Sequence, residues 1–205
     1  MNPIQPEGNY FNKYQDNGLI VNLIMKGYFK NLNRVLDNIT YHTVYEAGCG
    51  EGYISQHVYG HNLERQRNVY ITASDISEKV VGRAKADFPQ INFKVKSIYE
   101  LDEDSNSYEL VIASEVLEHL DKPEGALKEL FRISKRYVYI SVPNEPIWRI
   151  ANFMRGQYIG SAGNTPGHIN HWTKRQIVQL IGCYGDILEV AAPFPWTMVL
   201  SEKKQ

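Results

Sequence analysis

The sequence predicts an α/β fold with a doubly wound, seven-stranded, mostly parallel sheet that carries helices on both faces. Short apolar runs alternate with segments of helical periodicity, and this order indicates parallel strands joined by crossover helices. Most of the runs lack strict polar–apolar alternation, as expected for strands buried on both faces. Polar and glycine-rich residues directly follow several runs, where open α/β sheets bind their ligands.

The predicted helices and strands follow one another along the chain in the order that this architecture requires. The first 40 residues hold one or two amphipathic helices, because apolar residues from Leu19 to Phe29 recur at helical spacing. Seven predicted strands follow, at 43–47, 68–74, 91–95, 109–113, 137–142, 187–190 and 197–200. Helices are predicted at 53–59, from the N-cap Ser77 to a stop before Pro89, at 121–133, and at 174–183 behind the cap Thr173.

Composition restricts the class of protein. A chain of 205 residues with 43% apolar side chains suffices for one domain with a real core. With 22 basic and 23 acidic side chains, the net charge of −1 gives no general attraction to nucleic acid or anionic lipid. No run approaches the roughly 20 apolar residues of a membrane span, and no signal peptide is apparent. The two cysteines suggest no disulfide framework, which favours a reducing, cytoplasmic setting. Because a membrane span is also missing from the sequence, we expect no membrane contact.

A glycine-rich turn, Glu46-Ala47-Gly48-Cys49-Gly50-Glu51-Gly52, follows the first predicted strand. Glycines at such a position permit a tight turn and a close approach of a ligand to the backbone. The helix that follows offers its N-terminal N–H groups to an anionic group. The alternative is an ordinary strand-to-helix turn.

An acidic residue, Asp75, ends the second predicted strand. A carboxylate there can accept hydrogen bonds from both hydroxyls of a ribose. Alternatively, it is a carboxylate at a helix start, stabilised by the helix dipole. A glycine turn after one strand and an acid after the next together describe a nucleoside pocket.

The spacing of the glycines separates two classes of nucleoside pocket. The dinucleotide fingerprint has its third glycine where this chain has Tyr53. The acidic residue followed by Gly-x-Gly-x-Gly instead resembles motif I of the class I S-adenosylmethionine (SAM)-dependent methyltransferases. With Asp75 and the segment 114–119, Ser-Glu-Val-Leu-Glu-His, the chain resembles the small-molecule, ubiquinone-biosynthesis-like branch of that superfamily. The resemblance runs from about residue 41 to the C-terminus.

The resemblance implies a Rossmann-like fold with an antiparallel last strand, SAM as cofactor, and a role for each matching position. Glu46, Gly48, Gly50 and Gly52 would hold the methionine end of SAM, and Asp75 would bind the ribose. The other cofactor-binding positions are Ile76 on the adenine, Ser97 and Ile98 on its other face, Ser114 and Glu115 beside the sulfonium and amino group, and Tyr14 in a cap. Many members have an aspartate at the position of Ser97, so recognition of adenine N6 stays open.

Histidines are candidates for further roles. His119 is the catalytic candidate, because it could act as the general base that removes a proton from a hydroxyl acceptor. Alternatively, His119 orients a loop through hydrogen bonds. His168 and His171 have the spacing of possible metal ligands. No carboxylate or cysteine cluster accompanies them in the sequence, so we predict no metal site.

The predicted organisation is an N-terminal helical cap over 1–40 and a SAM-binding methyltransferase domain over 41–205. Within it, residues 143–172 form a substrate-covering insertion, because long irregular segments in compact domains are usually functional. An additional helix at the sheet edge is compatible with this cover.

The predicted function is methyl transfer from SAM to an O or N atom of a small-molecule metabolite, by a monomer or homodimer that does not bind nucleic acid. The alternatives are a non-catalytic SAM-fold partner module and an RNA or protein methyltransferase.

Overall fold

The computed structural model describes residues 19–154, 160 and 163–204, which form seven strands and six α-helices. The strands are β1 (Thr43–Ala47), β2 (Tyr70–Asp75), β3 (Asn92–Val95), β4 (Tyr108–Ser114), β5 (Ser134–Pro143), β6 (Gly185–Ala191) and β7 (Trp196–Lys203). The helices are α1 (Leu19–Asp37), α2 (Tyr53–Glu64), α3 (Glu78–Asp87), α4 (Pro123–Ile133), α5 (Ile147–Met154) and α6 (Lys174–Gly182). A short 3-10 helix, Leu117–His119, follows β4.

All seven strands form one sheet in the order β3-β2-β1-β4-β5-β7-β6. Strands β1 to β5 pair in parallel, and β7 runs antiparallel to both of its neighbours. The predicted fold class is therefore confirmed, including the antiparallel last strand. The strand order reverses between β1 and β4, so the ligand crevice of such a sheet lies beyond their carboxyl ends.

Two apolar clusters cover the two faces of the sheet. On one face, α1 contributes Tyr28, Leu32 and Leu36, all buried at spacings that place them on one side of the helix. On the other face, Leu127 and Leu130 of α4 pack in the second cluster. Helix α1 thus shares a core with the sheet, which fixes it beside the carboxyl ends of the central strands.

Local side-chain caps set the starts of two helices, α3 and α6. Ser77 accepts a hydrogen bond from the N–H of Val80 and so begins α3 as predicted. Thr173 and Gln176 form a reciprocal capping box at the start of α6. Helix α2 continues five residues past the predicted end, because its last turns bury His61 and Asn62.

The segment after β5 is not wholly irregular, because it contains α5. The additional helix that the sequence left as compatible with a cover therefore forms. No helix in the described part of the chain is both long and apolar enough to cross a bilayer.

Candidate active site

The glycine turn between β1 and α2 has backbone angles that favour glycine. Gly48, Gly50 and Gly52 have φ of +75°, +52° and +82°. The N–H groups of Gly48 and Cys49 donate to the carbonyl of Ser74, at 2.8 and 2.9 Å. A Cβ added at Gly48 would lie 2.5 Å from Val116 Cγ2, whereas one added at Gly50 would meet no atom within 4 Å. The turn is thus packed at Gly48 and open at Gly50, where a ligand could approach the backbone.

Asp75 is held beside this turn. Its Oδ2 accepts from the N–H of Gly50 at 3.0 Å, and its Oδ1 accepts from the N–H of Ser77 at 3.0 Å. A carboxylate has about four lone-pair sites, so each oxygen can still accept one further hydrogen bond. Two cis hydroxyls of a ribose match the two remaining positions.

Glu46 lies near the end of β1, just before the glycine turn, and is only 2% exposed. The hydroxyl of Ser55 donates to its Oε2, and the Ser55 N–H also hydrogen-bonds to the carboxylate. Burial raises the pKa of Glu46 to about 7, and the nearby charge of Asp75 acts in the same direction. A cationic group bound here would be stabilised by the ionised form.

The three positions that the resemblance assigns to the adenine, Ile76, Ser97 and Ile98, differ in solvent exposure. Ile76 is 49% exposed directly beyond β2, which leaves an apolar surface available to a planar ring. Ser97 is half-buried, and its Oγ accepts from the N–H of Tyr99 at 3.3 Å. Ile98 is 8% exposed and belongs to the second core cluster, so most of its surface packs inside the protein.

Ser114 and Glu115 follow β4 and contact residues that the sequence did not single out. Ser114 Oγ lies 2.6 Å from the hydroxyl of Tyr28 and 3.0 Å from Ser141 Oγ. Glu115 has a left-handed φ of +59°, and its Oε2 accepts from Trp196 Nε1 at 2.6 Å. Because β7 runs antiparallel, its first residue, Trp196, pairs with the last residue of β5 at the carboxyl edge of the sheet.

His119 lies in the 3-10 helix and contacts the loop before α6. Its Nδ1 is 2.9 Å from the carbonyl of Gly167. A carbonyl only accepts, so Nδ1 carries the proton in this contact. The His119 and His168 rings meet edge to face at 4.9 Å, whereas His171 pairs with Glu145 at 3.4 Å.

The structure describes one further residue of the glycine turn but not the proposed cap. Cys49 is buried inside the turn, and burial raises the pKa of its thiol, as expected for a small packing residue and not for a nucleophile. Tyr14, the proposed cap residue, lies outside the described residues.

Comparison with known proteins identifies the family to which this chain belongs. A family model described as a methyltransferase domain matches residues 22–185. The chain belongs to this methyltransferase family. The family predicted from the glycine turn, Asp75 and segment 114–119 is thereby confirmed, and with it SAM as the class of cofactor.

Individual relatives agree with this assignment. A Mycolicibacterium smegmatis protein named as a SAM-dependent methyltransferase is 29% identical over 103 residues, which are 49% of this methyltransferase and 38% of that relative. This chain thus matches well under two thirds of the relative's length. Magnesium protoporphyrin IX methyltransferase (ChlM) from Synechocystis, crystallised with bound SAH, has a TM-score of 0.68 at 19% identity, covering 94% of this chain and 91% of that one.

A further structural neighbour comes from the complex between the Haloferax volcanii Trm112 methyltransferase activator and its methyltransferase. It has a TM-score of 0.68 at 15% identity and covers 90% of this chain and 92% of that chain. At such identities these two structures establish the shared fold alone.

Proposed function

We propose that this methyltransferase transfers the methyl group of SAM to an O or N atom of a small-molecule metabolite. The observation that carries the proposal is the grouping of buried Glu46, the open turn at Gly50 and the two-oxygen acceptor Asp75 at the ends of β1 and β2. These three features match the charged tail, the close approach and the ribose of an adenosyl amino acid. The SAH found in the crystal of ChlM supports a ligand of this class.

Each residue would make a separate contribution to cofactor binding. Glu46 would pair with the ammonium group, and the exposed side chain of Ile76 would pack on the adenine. Ser97 and Ile98 would flank the opposite side of the base, although the burial of Ile98 limits its contact. Glu115, held by Trp196, would lie beside the amino-acid end.

The chemistry demands little beyond binding and orientation. SAM supplies a methyl group that is already activated on a sulfonium. Positioning an acceptor in line with it can contribute about 7–11 kcal/mol. Where a hydroxyl must lose its proton, a base adds a factor of about 10²–10⁴, and Nε2 of His119 is the proposed base.

The acceptor would lie under residues 143–172. Three aromatic rings line up in this region: Trp148 lies 5.9 Å from Trp196 and 5.8 Å from His168 between ring centroids. The indole of Trp148 also donates to Thr165 Oγ1 at 2.9 Å, which ties α5 to the loop behind it. An acceptor that packs against these rings would be small and partly apolar, and not a polyanion.

Calorimetry with SAM and with S-adenosylhomocysteine tests the cofactor assignment. We expect one site per chain for both ligands, and weaker binding to Asp75→Ala. Folded protein that binds neither ligand would refute the proposal. Binding of both without turnover, on a panel that spans metabolites, RNA and peptides, would instead support the non-catalytic alternative.

A further inference from the structure

We propose that Glu145 binds a protonated amine of the methyl acceptor, so that the acceptor is an organic cation. Glu145 is only 7% exposed, and neither of its carboxylate oxygens accepts a hydrogen bond from a residue that the structure describes. A carboxylate removed from water is unfavourable unless hydrogen bonds or an opposite charge compensate. Both oxygens are therefore available to a ligand that carries hydrogen-bond donors and positive charge.

The backbone holds Glu145 at the carboxyl edge of the sheet, two residues beyond the end of β5. Its N–H donates to the carbonyl of Trp172 at 3.0 Å, and the N–H of Asn144 donates to the carbonyl of Pro195 at 2.9 Å. Asn144 and Trp172 also form a parallel β-bridge. Glu145 is thus fixed between the segment before α6 and the turn before β7.

Strand alternation indicates which face of the sheet Glu145 occupies. In β5, Tyr139 packs in the cluster that contains α1, whereas Ile140 packs in the opposite cluster. Successive side chains of a strand point to opposite faces, so position 145 continues the side of Tyr139. Trp196 belongs to the α1 cluster, and Trp148 packs against it. Glu145 therefore lies on the same side of the sheet as the two indoles proposed to line the acceptor region.

The two indoles define the class of cation. Trp148 follows Glu145 by three residues, and Trp196 pairs with Pro143, two residues before it. The ring centroids of the two indoles are 5.9 Å apart. Indole faces attract ammonium groups, whereas Mg²⁺ and Ca²⁺ require several oxygen ligands. One buried carboxylate beside aromatic rings thus suits a protonated amine better than a metal ion.

His171 lies next to the carboxylate without replacing the proposed cation. Its Nδ1 is 3.4 Å from Oε1 of Glu145, which is longer than the roughly 2.7–2.9 Å of a charge-assisted hydrogen bond. A third of the His171 side chain is exposed, so the pair reaches the surface of the protein at this ring. An amine that enters here would donate to the carboxylate at a shorter distance.

The charge on the bound amine restricts which acceptor atom can react, and this step alone rests on the proposed function. A protonated amine has no lone pair, so it cannot attack the methyl carbon. A second atom of the acceptor, O or N, would form the new bond while the S–C electron pair returns to sulfur. A proton lost by that atom would pass to His119, the proposed base. Glu145 would therefore determine specificity at a distance from the reacting atoms.

Ligand pairs of similar shape and different charge test the site in the full chain. Tyramine and benzylamine are cationic at neutral pH, and tyrosol and benzyl alcohol are their neutral isosteres. Calorimetry, with and without S-adenosylhomocysteine, should give each amine a dissociation constant at least about tenfold lower than that of its alcohol. Glu145→Gln should abolish this difference, because the amide has no negative charge.

Two further variants serve as controls. Glu103 is a partly buried glutamate whose partner, Lys94, belongs to the protein itself, at 2.5 Å. Glu103→Gln should therefore keep the preference for amines. Glu145→Asp retains the charge and should keep part of the preference, which separates loss of charge from loss of packing.

Each outcome decides between the proposals. Wild-type protein that binds S-adenosylhomocysteine but binds amines no better than alcohols overturns the cation site and leaves the proposed function standing. This comparison needs no variant, so it holds even where Glu145→Gln does not fold. A preference that persists in folded Glu145→Gln also overturns the site. A preference lost in Glu145→Gln, without binding of SAM or S-adenosylhomocysteine to any variant, supports the cation site and refutes the proposed function.

Discussion

The N–H of Gly50 donates a hydrogen bond to Oδ2 of Asp75 at 3.0 Å, and this contact joins the turn after β1 to the end of β2. Both partners belong to the proposed cofactor crevice. The contact holds the turn in one position relative to the end of β2. Such preorganisation reduces the entropy that binding must otherwise overcome.

Replacement of Asp75 by alanine should weaken binding of S-adenosylhomocysteine by about 1–3 kcal/mol, the usual loss for hydrogen bonds to a charged group. The change removes the proposed ribose acceptor and the contact with Gly50 together. Calorimetry measures the dissociation constant, with Asp87→Ala at the exposed end of α3 as the control. An unchanged constant for Asp75→Ala would contradict the ribose assignment.

Binding of S-adenosylhomocysteine should strengthen as the pH rises toward 7, because the ligand ammonium favours ionised Glu46. Burial holds the pKa of this carboxyl at about 7, above its usual 4.5. Below that value, affinity should fall by up to about tenfold per pH unit. Glu46→Gln should remove this pH dependence in calorimetry, and a profile unchanged by the substitution would argue against the contact.

The same group should affect folding with the opposite trend. Between pH 4.5 and about 7 the unfolded chain ionises Glu46 while the native protein keeps it protonated. The native state therefore binds more protons, and the contribution of Glu46 to the free energy of unfolding decreases as the pH rises through this window. Urea unfolding of wild type and Glu46→Gln at several pH values isolates that contribution.

Trp196→Phe should lower the free energy of unfolding by about 1–3 kcal/mol and weaken cofactor binding. The indole N–H donates to the carboxylate of Glu115 at 2.6 Å, and loss of a donor to a charged group has a cost in this range. Trp148→Phe is the matched control, since it loses a bond to the neutral hydroxyl of Thr165. If Trp196→Phe and Trp148→Phe change cofactor affinity equally, the hydrogen bond from Trp196 to Glu115 has no specific role in cofactor binding.

Alanine at Gly48 should destabilise the protein more than alanine at Gly50. Both positions have a left-handed φ, which costs a non-glycine residue about 1–2 kcal/mol. Only at Gly48 would the new Cβ also clash with Val116, 2.5 Å away, and a β-branched side chain has little freedom to move. Urea unfolding compares the two variants, and a larger loss of stability for Gly50→Ala would contradict the close packing of Gly48 against Val116.

His119→Ala should leave the affinity for S-adenosylhomocysteine within about twofold while it lowers methyl transfer to a hydroxyl acceptor by about 10²-fold or more. His119 contacts Gly167 and His168 in the loop before α6. Calorimetry and a turnover assay separate the two effects. A large loss of cofactor affinity would mean that His119 shapes the cofactor crevice.

Strand positions, the helix caps and the glycine turn were predictable because their signals are local. Thr43–Ala47 forms β1 with the predicted bounds, and Ser77 and Thr173 cap their helices. The sequence predicts α2 too short, because His61 and Asn62 are buried against Asp37 and Tyr41, which lie more than 20 residues earlier in the chain. Trp196 was missed for a similar reason: its role depends on the antiparallel direction of β7.

The sequence by itself determined which residues follow which strand, and hence that Glu46, the glycines and Asp75 meet at one edge of a parallel sheet. Only the tertiary structure decided what surrounds them: the burial that raises the pKa of Glu46, the bond between Trp196 and Glu115, and the approach of His171 to Glu145. Backbone angles and caps are set within a few residues. Contacts across the chain depend on strand order and on the packing of loops, which no short segment specifies.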